Sequence, residues 1–475
     1  MRSSFWVKGA FAVSILWWVY LFFTTQFVVV FDSLGYEDSG RMIAHHGWVE
    51  YLRSGLQREP MFPWLVSLSM HAGDWWGISY DYPLKMIGIL FLFLTMVFSY
   101  RLMNMLSVRP FIAALGLLYM GLSPVMTNSS MRLWSEFAAY PWVVLAVIWT
   151  VKSWKLMDIV SDDHRENMRI VGHAGMVALM FLLIMSVKAV AEGVLLFYLW
   201  PFYWKIVVYV RSRNFIKARQ AAIFCLTVLI LFEGTVCAYK FCNYHYNGHF
   251  AFTNRGDWAF YGNTARRMQP LTPESLGAAL ATVPGMGLCT SIYSREDCFY
   301  WSAQHSDEII SEKFSDLSKR GIKMDAASND FIFSSVKMIL SNPLQNVLLM
   351  FIEAHKMFFW ESSLSFVAYP DWVDKSICST GVLYTLRVIF AFLSWIACVS
   401  VFCFLCFRRQ NGRLKDEGRR QVLFWTFNFI FWYMAMYSLF FIVDRYSFPV
   451  VSLFMVLITF LMDKITRPVP RSRKG

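Results

Sequence analysis

Long apolar stretches recur along this chain of 475 residues, each close to the roughly 20 residues that a helix needs to cross a bilayer. We place ten spans, at 6–30, 84–106, 110–126, 134–152, 172–187, 191–209, 220–242, 383–407, 422–442 and 446–463. Inside a bilayer the backbone must satisfy its own polar groups, which a helix does within one segment. The sequence therefore predicts an all-α polytopic membrane protein with about ten transmembrane helices.

The composition excludes a soluble globular protein. Hydrophobic residues make up 57% of the chain and charged residues 16%, whereas soluble domains carry about 25% charged residues. The net charge of +12 does not indicate a nucleic-acid partner, because the basic residues are scattered among loops between apolar runs. The run at 6–30 is longer than the core of a cleavable signal peptide, so we expect it to remain as a spanning helix.

Basic residues predict the orientation in the membrane. With the N-terminus inside, every cytoplasmic segment is basic, as the positive-inside rule requires. These segments hold Arg2, Lys8, Arg101, Arg109, Lys152, Lys155, Arg165, Arg211, Arg213, Lys217, Arg219, Arg408 to Arg420 and Lys464 to Lys474. The other side then receives segments 31–83 and 243–382 and three short turns, near 127–133, 188–192 and 443–446. We expect this face to be the periplasmic side of a bacterial inner membrane.

The long hydrophilic segments divide the chain into three parts. Residues 1–242 are predicted to form an N-terminal transmembrane module with the first outer loop at 31–83. Residues 243–382 are predicted to form a small folded outer insertion, and 383–475 the C-terminal helices and a basic cytoplasmic tail. Within the insertion, 342–360 has the pattern of an amphipathic helix lying on the membrane interface.

Cysteines in the outer insertion can form a disulfide if this compartment is oxidising. Cys289 and Cys298 are nine positions apart, and Cys378 is a competing partner for either of them. The remaining cysteines lie in or at the ends of apolar spans, where a thiol packs as a small hydrophobic group.

The first outer loop has the most informative polar pattern. Asp32 follows the first span directly, Tyr36 and Asp38 come soon after it, and an Arg58-Glu59-Pro60-x-x-Pro63 element precedes the second span. A carboxylate at the mouth of a membrane helix followed by such an element is unusual for a simple connector, and it indicates a functional site.

This arrangement resembles the GT-C superfamily of polyprenyl-phosphate-sugar-dependent glycosyltransferases, which includes protein O-mannosyltransferases and lipid A aminoarabinose transferases. Further matches follow in the expected order: Ser135-Glu136 opening the fourth span, Lys188 where relatives often have Arg, and the segment Asp444-Arg445-Tyr446-Ser447-Phe448-Pro449. Ser33 stands where many members carry a second acid. The resemblance implies a sugar donor linked to a polyprenyl phosphate, with no required cofactor and a divalent metal as an unsupported possibility.

Sugar transfer to a hydroxyl needs a base for the acceptor and positive charge for the departing phosphate. We predict Asp32 as the base, with Asp38 and Glu59 as the other catalytic candidates. The predicted donor-phosphate ligands are Arg58, Lys188, Arg445 and Tyr446. A polar and aromatic patch at 253–267 has two interpretations, a contact surface for acceptor or pyrophosphate and a stabilising cluster within the loop. The predicted acceptor-binding residues are Tyr36, Glu136, Arg266 and Arg267.

The acceptor class stays open between an envelope glycan, a lipid and a protein. No Rossmann or Walker motif is visible in the sequence, which disfavours a nucleotide-sugar donor. The alternatives are an O-antigen-type polymerase and a lipid-linked glycan flippase. A flippase should place charges inside its spans, whereas the middles of these spans are nearly uncharged, with Glu233 the main exception.

Overall fold

The protein folds almost entirely into helices. The computed structural model describes residues 3–29, 32–55, 58–158, 164–253, 255–321, 324–360, 367–368, 373, 380–407, 417–440 and 444–467. The helices are α1 Ser3–Thr24, α2 Asp32–Arg53, α3 Met61–Trp76, α4 Asp81–Met105, α5 Pro110–Leu122, α6 Pro124–Ser130, α7 Tyr140–Leu156, α8 His164–Met185, α9 Ala191–Tyr198, α10 Trp200–Arg211, α11 Phe215–Asn247, α12 Gly256–Arg266, α13 Pro273–Ala281, α14 Met286–Ile292, α15 Arg295–Tyr300, α16 Ala303–Lys319, α17 Met324–Ser341, α18 Pro343–Ala354, α19 Thr380–Phe407, α20 Glu417–Leu439 and α21 Phe448–Ile465. Short 3-10 turns occupy Glu136–Ala139, His355–Phe358 and Asp444–Ser447. The predicted all-α class is confirmed.

The structure contains several helices that are long and apolar enough to span a membrane, as the sequence predicts. In the described part of the chain, nine helical segments are long and apolar enough to cross a bilayer. α9 and α10 together make one of them, Ala191–Arg211. A tenth candidate is the pair α5 and α6, which bends by 52° at Ser123, directly before Pro124. The prediction of about ten transmembrane helices is therefore confirmed.

Two local details differ from the sequence-based expectation. α1 ends at Thr24 rather than near Val30, because Gln26–Phe27 leaves the helix and pairs antiparallel with Val367–Ala368. The segment near 127–133, expected as a short outer turn, is buried throughout. The bend before α6 turns this segment into the bundle, where α6 packs against α4 and the 3-10 turn Glu136–Ala139.

Alternate loops lie at opposite ends of the bundle. At one end, Arg109 Nε lies 2.6 Å from the buried Asp463 Oδ1, which joins the α4–α5 loop to the end of α21. At the other end, Lys188 Nζ lies 3.0 Å from Glu136 Oε1, which joins the predicted outer turn 188–192 to the start of the fourth predicted span. This division matches the predicted grouping of the loops, and the positive-inside rule predicts that the first end faces the cytoplasm.

Cysteine labelling tests this orientation. Ser212, in the turn between α10 and α11, and Ser311, on α16, are both exposed. In a chain whose free cysteines are replaced by alanine, a membrane-impermeant maleimide should label Ser311→Cys in intact cells and leave Ser212→Cys unlabelled. Permeabilised cells should label both variants. Labelling of both in intact cells would contradict the assignment of these loops to opposite faces.

Seven helices, α12 to α18, form a compact insertion between α11 and α19. A disulfide joins Cys289 and Cys298 inside a small apolar core that includes Trp301 and Leu349. α18 lies against α20 and leaves the apolar side chains Leu344, Val347 and Phe351 exposed, while Glu353 is buried. An exposed apolar stripe at the outer end of a spanning helix favours contact with the lipid interface.

The disulfide is expected to stabilise the insertion. Closing this short loop should contribute about 2–3 kcal/mol, so the Cys289→Ser, Cys298→Ser double variant should lose protection of the insertion against protease. The same variant should keep its membrane helices intact, which limited proteolysis followed by mass spectrometry can show. Quantitative alkylation of both thiols in the unreduced full-length protein would contradict the pairing.

Candidate functional site

A cavity of about 990 Å³ opens where the outer ends of the membrane helices meet the insertion. One wall comes from the membrane helices, through the start of α2, the segment before α3 and the turns at 136 and 188. The insertion supplies a second part of the lining, the insertion-side wall, through α12, α16 and α17, and the end of α11 also contributes. Acidic, basic and aromatic side chains share the lining, so the cavity presents both signs of charge beside flat apolar surfaces.

Asp32 and Arg58 form an ion pair in the membrane-side wall. Asp32 is the first residue of α2, and its Oδ1 accepts a hydrogen bond of 2.9 Å from Arg58 Nη2. A Cβ at Gly35 would lie 2.8 Å from the same Nη2, so glycine leaves room for the guanidinium. The guanidinium also lies 4.6 Å from the centre of the Tyr36 ring. These contacts place a cation and a carboxylate together at the cavity surface.

Tyr36 links α2 to the turn before α7. Its hydroxyl lies 2.9 Å from Ser135 Oγ, and its ring packs edge-on against Phe62 of α3. Burial raises the pKa of the Tyr36 hydroxyl above its ordinary value, with Lys188 and Arg58 acting in the opposite direction. The hydroxyl therefore stays protonated at neutral pH and acts as a hydrogen-bonding group.

A second ion pair lies deeper in the same wall. Lys188 Nζ lies 3.0 Å from Glu136 Oε1, and both side chains are almost fully buried. The ammonium also lies 5.3 Å from the centre of the Tyr446 ring. Next to it, the backbone N–H of Ala189 donates to Glu59 Oε1 at 3.3 Å. Burying two charges without a partner would be costly, so the pair holds the 136 and 188 turns together.

The insertion brings further charges to the cavity. Arg255 Nη1 lies 3.9 Å from Asp32 Oδ1, the same oxygen that Arg58 contacts, so two guanidinium groups lie near the base candidate. Asp307 of α16 faces the cavity, and its surroundings raise the pKa of its carboxyl. Desolvation is the main cause, Arg255 lowers the pKa, and the Asp32 carboxylate raises it further. Asp32 and Asp307 are therefore close enough to influence one another across the cavity.

Most residues selected from the sequence meet in this cavity. Its lining includes Asp32, Tyr36, Arg58, Glu59, Glu136, Lys188 and Tyr446. Asp38 is exposed on α2 and does not line the cavity. Arg445 belongs to the 3-10 turn Asp444–Ser447 beside Tyr446, and its side chain lies outside the described residues.

Arg266 and Arg267 are placed differently from the acceptor-binding role predicted for them. Both are about 1% exposed, and both form ion pairs with the buried Glu353 of α18. Arg266 Nη1 donates to the Trp301 carbonyl at 2.6 Å, and Arg267 donates to the Ser438 carbonyl at the end of α20. Neither residue lines the cavity, so their geometry is that of a structural connection between the insertion and the membrane helices.

Some cavity residues escaped the sequence analysis. Lys240 Nζ lies 2.5 Å from Glu192 Oε1, and both residues line the cavity. A charge near the outer end of a long apolar helix is a signal that could have identified Lys240. Asp307 gives no such signal, because it lies in an otherwise ordinary amphipathic helix.

Within the described residues, no group of three or more His, Cys, Asp or Glu side chains is arranged to hold a metal ion. Two carboxylates of the cavity lining have cationic partners: Arg58 and Arg255 lie beside Asp32, and Lys188 lies beside Glu136.

The fold and the cavity define a class: a polytopic helical membrane protein with a charged cavity at one membrane surface. No family model and no curated protein matches the chain. The chain is similar to the archaeal oligosaccharyltransferase AglB from Archaeoglobus fulgidus, solved with an inhibitory peptide and a dolichol-phosphate. The identity is 10%, the TM-score is 0.46, and the match covers 97% of this chain and 50% of AglB, so this chain spans half the length of AglB.

A second similar structure is ArnT from Cupriavidus metallidurans, solved bound to undecaprenyl phosphate. Here the identity is 14% and the TM-score is 0.34. The match covers 95% of this chain and 77% of ArnT.

Proposed function

We propose that this protein is a membrane glycosyltransferase that moves a sugar from a polyprenyl-phosphate-linked donor to an acceptor hydroxyl. The observation that carries the proposal is the Asp32–Arg58 pair at the surface of a large cavity where spanning helices end. The resemblance of the first outer loop to GT-C transferases supports the same reaction. We further propose that the cavity faces the periplasm of a bacterial inner membrane.

In the proposed reaction Asp32 removes the proton from the acceptor hydroxyl. The hydroxyl oxygen then forms a bond to the anomeric carbon of the sugar, while the bond from that carbon to the phosphate oxygen breaks. The electron pair of the broken bond leaves with the polyprenyl phosphate, and the proton remains on Asp32. The ion pair with Arg58 supports this role, because it fixes the position of the carboxylate at the cavity surface.

The cations of the membrane-side wall are proposed to hold the donor phosphate. Arg58 offers a planar guanidinium suited to two phosphate oxygens, and Lys188 offers a point charge beside the Tyr446 ring. Arg445 remains a proposed ligand through its position beside Tyr446. A required metal is not part of the proposal, since these cations can balance the charge of the leaving phosphate.

Binding of undecaprenyl phosphate tests the phosphate site directly. Arg58→Gln should weaken binding about ten- to a hundredfold, the usual effect of losing a hydrogen bond to a charged group. Arg41→Gln is a matched control, because Arg41 is exposed on α2 and pairs only locally with Glu37 among the described contacts. Binding can be measured with purified protein in nanodiscs. Equal affinity of wild type and Arg58→Gln would remove Arg58 from the site, and no binding by the folded wild type would contradict the proposed donor.

A further inference from the structure

The insertion-side wall of the cavity is assembled by a close contact between α12 and α16. A Cβ at Gly262 of α12 would lie 2.9 Å from the Ser306 carbonyl oxygen, so only glycine permits this approach. The contact places Asp257 and Trp258 of α12 on the same wall as Ser306 and Asp307 of α16. The wall therefore combines two carboxylates, a hydroxyl and an indole.

Two polar atoms of this wall lack a hydrogen-bond partner within the part of the chain that the structure describes. They are Asp257 Oδ2 and Ser306 Oγ, and both atoms are buried. Ser306 as a whole is only 2% exposed. Buried polar atoms are nearly always satisfied, because an unmade hydrogen bond is costly. A pair of unsatisfied atoms on a cavity wall can take hydrogen bonds from a bound ligand or from ordered water.

The chemistry of these atoms limits the kind of ligand. Carboxylate oxygens only accept hydrogen bonds, so Asp257 and Asp307 need a donor, whereas the Ser306 hydroxyl can either donate or accept. A phosphate or carboxylate on the ligand would offer acceptors but no donor to Asp257 and Asp307, and of these neighbours only Arg255 would attract it. Hydroxyl groups donate and accept without adding charge. Several neighbouring hydroxyls, as on a sugar ring, match several such atoms on one wall.

Trp258 adds a flat apolar surface to the same wall. Its ring lies 5.1 Å from the Phe314 ring in an edge-on contact, and it packs against the small core formed by Leu317, Ala327 and Phe331. Because these neighbours fix the indole, its cavity side can support the apolar face of a pyranose ring. A peptide with a single hydroxyl would make fewer of these polar contacts and would lack a sugar ring to stack on the indole.

We propose that the acceptor is a neutral glycan and that the α12–α16 wall, through Asp257, Trp258, Ser306 and Asp307, is its binding subsite. The proposal rests on the proposed function. Arg255 Nη1 lies 3.9 Å from Asp32 Oδ1, so a glycan held against α12 lies within reach of the proposed base. The α12–α16 wall determines which acceptor presents a hydroxyl to Asp32. The membrane-side wall holds the donor.

The product of the intact protein tests the acceptor class. Cells that produce wild type or Asp32→Asn protein are grown with radiolabelled sugar, and their envelopes are separated into polysaccharide, lipid and protein fractions. The proposal expects label that depends on Asp32 in the polysaccharide fraction. Such label in the lipid or protein fraction would overturn the glycan acceptor and leave the proposed transferase standing. Equal label in every fraction would defeat the proposed transferase itself.

Variants of the wall then test the subsite, with the unlabelled polysaccharide from cells that produce Asp32→Asn protein as the acceptor. Trp258→Ala should raise the acceptor KM about tenfold, as expected for loss of an aromatic platform. Ser306→Ala removes only a hydroxyl and should raise it about three- to tenfold. Neither variant should change the affinity for undecaprenyl phosphate. Trp75→Ala is the matched control, because Trp75 is 84% exposed on α3 and does not line the cavity. An unchanged acceptor KM in both wall variants would overturn the subsite.

Discussion

Replacing Asp32 with Asn is expected to slow sugar transfer by about 10²–10⁴-fold while donor affinity changes little. Asparagine keeps the shape of the side chain and can still contact Arg58, but its amide oxygen cannot take the acceptor proton at neutral pH. Transfer to acceptor and binding of undecaprenyl phosphate should be measured on the same purified protein. The expected result is a fall in turnover with intact binding, which is the pattern for loss of a base rather than of a binding group.

Asp38→Asn is the matched control for this experiment. Asp38 lies on the same helix, is exposed and does not line the cavity, so its replacement should leave turnover close to the wild-type rate. A correctly folded Asp32→Asn protein with wild-type turnover would exclude Asp32 as the base. Glu59, whose carboxylate also lines the cavity, would then be the next residue to test.

Replacing Glu353 with Gln is expected to destabilise the folded protein by about 3–5 kcal/mol, because it leaves two buried guanidinium groups without their carboxylate. Arg266 and Arg267 both pair with Glu353, and all three side chains are at most 4% exposed. Loss of the folded fraction with temperature, followed in detergent for wild type and variant, measures the change. The insertion should lose its protection against protease before the membrane helices do.

Two further variants test whether the loss of stability comes from the buried Arg266–Arg267–Glu353 cluster or simply from replacing an acidic residue. Glu312→Gln changes an exposed acid on α16 and should leave stability nearly unchanged. The triple variant Arg266→Met, Arg267→Met, Glu353→Leu removes all three charges, so most of the lost stability should return. Equal stability of Glu353→Gln and wild type would show that the cluster does not hold the insertion in place.

The membrane-side half of the site was predictable because its residues stand at helix ends in an otherwise apolar sequence. Asp32 and Lys188 each interrupt or end an apolar run, where a charge is costly and usually has a function. The insertion half was not predictable in the same way. Arg266 and Arg267 looked like a solvated binding patch, yet their partner Glu353 is 87 and 86 residues away in sequence.

The spans were predicted well because hydrophobic length alone defines them, whereas departures from straight helices depend on contacts distant in sequence. Pro124 marks the bend between α5 and α6, but its outcome, a fully buried segment, depends on the neighbouring helices. The early end of α1 likewise depends on a partner strand at 367–368, far along the chain. Local patterns therefore identified the elements, and long-range contacts determined how they end and turn.

The attachment of the insertion to the bundle has a consequence for substrate traffic. Arg267 joins Glu353 of the insertion to the Ser438 carbonyl of α20, and Val367–Ala368 pairs with Gln26–Phe27 at the end of α1. The insertion is thus attached to the membrane helices at two separate points, so it cannot rotate about a single hinge. Tyr437, the neighbour of Ser438 in sequence, lines the cavity. Movement of the insertion away from α20 would therefore also disturb the cavity lining near Tyr437. We therefore expect the insertion to stay in place during turnover, so that the lipid donor enters the cavity from the side.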